Sequence, residues 1–234
     1  MEGYEMRICF GQGRMNMKRL LPLTAFLLVI LLSAGGALSF AGEFKPIKLF
    51  HPKVEGGKPL MQVLRDRSSS RSFSQERLSL QLLSNLLWAA FGINRPDTGK
   101  RTAPSAVNRQ EIDIYVALPE GLYLYDAKNL ELKPILPEDI RTLTGRQDFV
   151  RSAPVNLIYV ADYSRMDNAT REDKDLYSAA DTGFISQNVY LFCASEGLAT
   201  VVRGSIDKLA LAKALKLRPD QKIILAQSVG YPKK

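Results

Sequence analysis

Arg67, Ser69 and Arg71 alternate over five residues, and an extended chain turns every second side chain to the same side. Two guanidiniums with a hydroxyl between them suit a phosphate monoester, each charge-assisted hydrogen bond contributing roughly 1.5–3 kcal/mol. A solvated basic turn carries the same pattern, so the spacing alone leaves both readings open. Other chemistries are excluded by what is missing. His51 is the single histidine, which argues against a Ser-His-Asp triad or a histidine-rich metal site. Cys9 and Cys193 are the only cysteines, so no thiolate cluster can form. The segment ending in Gly99-Lys100 is no phosphate-binding P-loop: its glycines are wrongly spaced, and Arg101 stands where a magnesium-binding hydroxyl belongs.

These groups must be positioned by regular elements, which hydrophobic periodicity locates. Pro59 opens a short helix to about Asp66, as proline suits a first helical turn. Leu78, Leu82, Leu83, Leu86, Leu87 and Ala90 fall on one helical face, and Gly92 ends the pattern. A polar loop is expected from Gly92 to Pro104. Ile112–Leu118, Gly121–Asp126 and Leu130–Ile135 read as strands, and Pro137–Thr144 as a helix. Val155–Ala161 is almost continuously apolar, the mark of a strand buried on both faces. One long helix is expected over Glu172–Glu196, stopped by Gly197. Leu198–Val202, Ile206–Leu215 and Lys222–Val229 follow as strand, helix and strand. Strands in local hairpins with helices around them predict a single α+β domain.

The start of the chain has a different character. Lys18-Arg19 precede an apolar run from Leu20 to Leu32, and Ser39-Phe40-Ala41 forms a small-x-small exit. That combination describes a secretory signal peptide cleaved after Ala41, and the run is short of the roughly 20 residues a membrane span needs. An uncleaved anchor is the alternative. The expected organisation is an N-terminal extension and leader over residues 1–41, an extended arm over 42–58 and a folded domain over 59–234. Of the 32 basic and 24 acidic residues, four and two respectively precede Gly42, leaving the mature part a net charge of +6. The surplus is spread along the chain, which gives no case for nucleic acid and would suit an anionic ligand. Cys193, alone after cleavage, is expected in the core.

Five segments in order resemble the nitroreductase superfamily. They are Arg67-Ser68-Ser69-Ser70-Arg71-Ser72-Phe73, the helix within LSLQLLSNLLWAAFGI, Pro104-Ser105-Ala106-Val107-Asn108-Arg109-Gln110, DTGFISQNVYLFCASEGLATVVRG, and the closing VGYPKK. GLYLYDAKNLELKPI is similar to a hairpin of SagB-type dehydrogenases. The resemblance implies a nitroreductase-like fold, a central and mostly antiparallel sheet flanked by helices. It implies FMN as cofactor, with Arg67, Ser68, Ser69 and Arg71 at its phosphate and pyrimidine edge and Lys233 or Lys234 completing the clamp. Asn108 would bond the pyrimidine, Ser105 would lie against the ring from a partner subunit, and the backbone at Arg203-Gly204 would donate towards flavin N5. No side chain is implied as a catalytic acid or base.

The resemblance further implies a homodimer with flavin at the subunit interface. NAD(P)H or another donor would reduce it, and a small nitro or quinone acceptor would reoxidise it in a ping-pong cycle. Asp181, Gln187 and Asn188 on the long helix would be structural positions at that interface. Four features depart from the pattern: Ser68 replaces a second basic residue, Glu111 replaces a proline, Arg203 stands where many relatives carry an acid, and the chain stops at Lys234. A non-catalytic flavin-binding or interaction protein that keeps the fold is the alternative. The leader implies export, in a periplasmic setting.

Overall fold

A computed structural model describes residues 44–234; the leader, its cleavage point and the first two residues of the arm lie outside them. The remainder of the arm is extended and packed along the domain. Ile47–Lys48 forms strand β1, the Phe44 and Tyr123 rings lie 4.8 Å apart, and the Phe50 and Lys53 N–H groups donate to Ser84 Oγ and Asn85 Oδ1, each at 3.0 Å.

Four α-helices follow among the described residues: α1 (Leu60–Asp66), α2 (Leu80–Phe91), α3 (Arg171–Glu196) and α4 (Lys208–Ala214). Their ends follow capping chemistry. Ser79 and Thr170 accept the Leu82 and Asp173 N–H groups at the starts of α2 and α3. Glu172 and Asp173 sit in the positive first turn of α3, and Gly197 ends it at φ 71°, a conformation in which other residues are strained.

The strands are β2 (Ile93–Arg95), β3 (Lys100–Arg101), β4 (Ile112–Leu118), β5 (Gly121–Asp126), β6 (Glu131–Leu136), β7 (Val155–Asp162), β8 (Ala199–Arg203) and β9 (Gln221–Gly230). Six of these join β1 in one seven-stranded sheet in the order β1-β6-β5-β4-β7-β9-β8. Every neighbouring pair is antiparallel. Only β4, β5 and β6 follow one another as hairpins; the pairs β4–β7 and β7–β9 close long connections, so the expectation of mostly local hairpins is corrected.

The sheet is covered on both faces. Ile114 and Val116 of β4 and Leu157 and Tyr159 of β7 pack with Leu86, Leu87, Ile185, Val189 and Cys193 from α2 and α3. The alternate residues Tyr115, Ala117, Ile158 and Val160 pack with Ile206, Leu211 and Leu215 on the other side. Every residue of β7 is buried, as its apolar run predicted. Cys193 is likewise buried, and loss of solvation raises its thiol pKa far above the ordinary range.

Two local expectations are corrected. Residues 92–104 are not a plain loop: β2 and β3 pair across a turn, tied by the Arg95 guanidinium donating to Arg101 O at 2.6 Å and by Thr102 N–H to Gly92 O at 2.9 Å. The helix expected over Pro137–Thr144 shrinks to a 3-10 turn at Arg141–Thr144. There the Asp139 carboxylate accepts both the backbone N–H and the guanidinium of Arg141, a local bond that competes with helix. Among the described residues no helix is long and apolar enough to cross a membrane, and no cluster of ligands could hold a metal.

Leu86 is fully buried where α2 meets the sheet. Leu86→Ala is expected to lower the unfolding free energy by about 2–5 kcal/mol, read from the urea midpoint at unchanged slope.

Candidate functional site

The alternating Arg67–Arg71 segment is laid between strand β8 and the last residues of the chain. Helix α1 ends where Arg67 N–H still reaches Val63 O at 2.8 Å. Beyond it Ser70 N–H donates to Thr200 O at 2.9 Å, Ser74 N–H to Tyr231 O at 2.8 Å, and Lys233 N–H to Ser72 O at 3.3 Å. Phe73, buried, bridges to Pro232 and anchors the crossing. Ser68, Ser69, Arg71 and Lys233 are exposed and Arg67 half-buried. None of the three cations, Arg67, Arg71 and Lys233, has a carboxylate partner among the described residues.

Tyr190, on α3, organises this segment. Its phenol oxygen accepts the Val202 N–H at 2.9 Å and lies 2.9 Å from Ser69 Oγ. Because that oxygen already accepts from Val202, the bond to Ser69 is best made with the tyrosine proton, which leaves the Ser69 O–H to donate outward. The Arg67 guanidinium sits 5.3 Å from the centre of the same ring, within cation–π range. Tyr190 therefore ties the basic segment to β8. It was missed in the sequence because YLFC reads as an apolar helix face.

At the end of β8, side chain and backbone of Arg203 part company. Its guanidinium is buried and donates to Thr144 O, to Asn156 Oδ1 at 2.6 Å and to Ser228 Oγ at 3.0 Å, while Nε meets no protein acceptor. Burial lowers its pKa to about 10, so the group stays charged at neutral pH. The Arg203 side chain thus belongs to the interior, and only its backbone can serve an outside ligand. Gly204 is exposed, and a Cβ added there would meet only Leu225 Cδ2 at an ordinary 3.5 Å. Nothing within the chain demands glycine at that position.

The second motif forms a tight loop. Val107, Asn108 and Gln110 all take left-handed backbone, at φ 46°, 59° and 52°, which costs of order 1–3 kcal/mol per residue. The strain is held by side-chain bonds. Ser105 Oγ accepts Gln110 N–H at 2.9 Å, Gln110 Nε2 donates to Gly99 O and to Asn108 Oδ1, each at 3.1 Å, and Gln110 Oε1 accepts Arg101 Nε at 2.7 Å. Asp181 Oδ2 accepts Ala106 N–H at 3.0 Å. Asp181 is buried rather than placed at an interface, and beside it lies Glu111, fully buried with neither oxygen receiving a hydrogen bond. Burial above all raises the Glu111 pKa, to about 7; its own backbone N–H opposes this, the neighbouring Asp181 adds to it, and Arg109 opposes it more weakly.

One chain does not gather all the predicted residues. Arg67, Ser69, Arg71, Gly204 and Lys233 flank β8, whereas Ser105 and Asn108 belong to the loop held by Asp181. Asp181 and Tyr190 are nine residues apart on α3, which at 1.5 Å per residue is roughly 13 Å along the helix. Different hollows open at the two places: one against Ala106, Val107, Arg109 and Tyr177, the other against Phe73, Glu76, Tyr231 and Lys233.

Comparison with known proteins identifies the family. The model of the nitroreductase family matches residues 64–231. A candidate nitroreductase of Methanocaldococcus jannaschii, MJ1384, is 32% identical over 187 residues, covering 76% of this chain and 92% of that protein. The solved structure of a candidate nitroreductase from Ralstonia eutropha JMP134 is 43% identical, with a TM-score of 0.79 over 82% of this chain and 92% of that one. The chain belongs to the nitroreductase family. The NADPH:FMN oxidoreductase of Vibrio harveyi, solved with NAD+, shares the fold at 19% identity, with a TM-score of 0.55 over 75% of this chain and 69% of that one.

This nitroreductase-family chain is accordingly an oxidoreductase, and members of the family are flavoproteins, typically binding FMN. Its own residues fit such a group. The unpaired Arg67, Arg71 and Lys233 offer a phosphate three cations with no competing carboxylate among the described residues, and Gly204 leaves its surroundings open. Tyr190→Phe keeps the ring under Arg67 but deletes the hydroxyl between Ser69 and Val202. It is expected to cost about 1–2 kcal/mol of stability, measured by chemical unfolding, while Tyr190→Leu, which also removes the ring, costs more.

Proposed function

We propose that this protein is an FMN-dependent oxidoreductase that moves hydride from NAD(P)H or another donor to a small organic acceptor, such as a nitro or quinone compound, in a ping-pong cycle. The observation that carries this reading is the set of unpaired cations, Arg67, Arg71 and Lys233, laid together by the β8–C-terminal crossing. Bound FMN supplies the hydride chemistry. The chain supplies position and charge: Arg67, Arg71 and Lys233 hold the phosphate, and Ser69 donates its proton to it under the control of Tyr190. Ser68, exposed beside them, replaces a charge with a hydroxyl and leaves Arg71 the larger share of the electrostatic grip. The backbone at Arg203-Gly204 donates a hydrogen bond to the ring, and Ser105 and Asn108 address its polar edge.

The separation of the two halves along α3 supports a homodimer in which each cofactor is completed by both chains. So does surface chemistry. Leu60, Met61 and Leu64 on α1, with Leu176, Tyr177 and Phe184 on α3, are large apolar side chains exposed in a single chain, which suits association with a partner. We further propose that the leader directs the protein out of the cytoplasm to the periplasm; N-terminal sequencing of protein from its own host should begin at Gly42.

Purified protein should be yellow, with FMN released on denaturation. Arg67→Ala and Arg71→Ala each remove charge-assisted bonds of about 1.5–3 kcal/mol, so each should weaken FMN binding about tenfold or more. Flavin fluorescence on titration into apoprotein measures this, and unchanged affinity in both variants refutes the phosphate assignment.

A further inference from the structure

Glu111 and Asp181 are two neighbouring carboxyl groups buried in the interior, and no other residue among those described donates a hydrogen bond to Glu111. Glu111 follows directly on the loop residue Gln110 and immediately precedes β4; Asp181, on α3, is its carboxyl neighbour. No other residue among those described donates a hydrogen bond to either Glu111 oxygen, whereas Asp181 Oδ2 is engaged by the Ala106 N–H at 3.0 Å. The other charged groups around them have their own commitments. Asp113, next on β4, is paired bidentately with Arg165 at 2.8 Å; Asp162 of β7 is held by Arg218 at 2.8 and 2.9 Å; Arg165 also donates to Gln110 O at 2.9 Å. Arg109 acts on Glu111 with an opposing positive field, and Arg101 is held to Gln110 Oε1 and Phe91 O.

Two bare carboxylates side by side without solvent are not a stable arrangement. One proton resolves it. A protonated Glu111 donates to the Asp181 carboxylate, and the remaining negative charge is met by the Ala106 N–H. This bond is the anchor of a loop in which Val107, Asn108 and Gln110 hold strained backbone. We propose that Glu111 keeps its proton in the folded chain and donates it in a hydrogen bond to Asp181, and that this bond positions Ser105–Asn108 against the cofactor; when the proton is lost, Glu111 and Asp181 repel and the edge of the site loosens. Both residues are positioning residues that act through the loop. The cofactor half of the inference rests on the FMN reading above; the proton half does not.

The sign follows from the raised Glu111 pKa. The folded chain keeps a proton that the unfolded chain, with an ordinary value of 4.5, has already released. The pair's contribution to stability is therefore whole below 4.5 and lost as pH rises towards about 7. FMN affinity should fall through the upper end of the same window by about five- to tenfold, the low end of ordinary coupling between two sites. Glu111→Gln keeps a neutral donor to Asp181 and should give a flat profile at the acid-side affinity. Asp181→Asn supplies a neutral donor to Glu111 and should move the step to lower pH.

Infrared difference titration of wild-type apoprotein reads the proton without any flavin. A protonated carboxylic acid band should persist well above the normal glutamate range and disappear near pH 7, and Glu111→Gln should lack it. A wild-type chain with no such band overturns the proposal, as does a Glu111→Gln variant that retains the pH step in FMN affinity. If the band titrates as stated but FMN does not bind at any pH, the acid pair stands and the cofactor reading fails.

Discussion

Helix α3 carries polar atoms on its buried face at two places, and the rest of the site is arranged around them. A helix that packs against a sheet normally offers only apolar atoms inward, but here Ser178, Asp181, Thr182, Ser186 and Tyr190 are buried alongside Ile185, Val189 and Cys193. Each buried polar atom needs a partner, and the partners of two of them are site segments. Asp181 holds the Ala106 end of the strained loop, and Tyr190 holds Ser69 and the end of β8. Since α3 is rigid and pressed on the sheet, the distance between the two halves is set by the helix itself. The homodimer proposed above would bring complementary halves together.

The interior also accounts for the residue that departs most from the family pattern. Arg203 sits where many relatives carry an acid, and on an exposed strand end that change would reverse the charge beside a cofactor. Its side chain instead turns into a buried network with Thr144, Asn156 and Ser228, while Gln227 joins Tyr159, Thr200 and Ser186 one layer further in. Gly145 makes room for it: a Cβ there would come within 2.3 Å of the guanidinium. The Arg203 side chain is therefore part of the packing beneath β8 and β9, while Gly204 beside it is exposed.

How much of this was legible in the sequence depended on the range of the interaction. Strand β7, the length of α3 and its stop at Gly197 follow from local pattern, because burial on two faces and a left-handed cap each leave a direct signature. The β2–β3 hairpin was hidden because it is exposed and carries Arg95, Lys100 and Arg101 rather than alternating apolar residues. The helix over 137–144 failed because Asp139 prefers its own short turn with Arg141. The motif around Arg67 and that around Ser105 were visible as strings, but Tyr190 and the Glu111–Asp181 contact were not. Those pairings span 121 and 70 residues, and the partners look like ordinary helix positions until the sheet brings them together. Glu111 was noticed as a missing proline; what replaced the proline's rigidity could be seen only in three dimensions.

That replacement bears on how the site is held. A proline after Gln110 would fix the backbone by covalent geometry, independent of pH and of any neighbour. Glu111 leaves the backbone free to relax and relies on a hydrogen bond inside a dry pocket, where electrostatic interactions are stronger than in water but an unpaired charge is costly. The left-handed residues just before it would otherwise drift towards unstrained conformations, since nothing covalent opposes that. Rigidity in this loop is therefore conditional on a charge state, whereas rigidity on the Tyr190 side rests on the hydrogen bonds of its phenol to Ser69 and Val202. The two halves of one site are built with different kinds of fastening, and only the half nearer Glu111 can respond to its surroundings without a change in sequence.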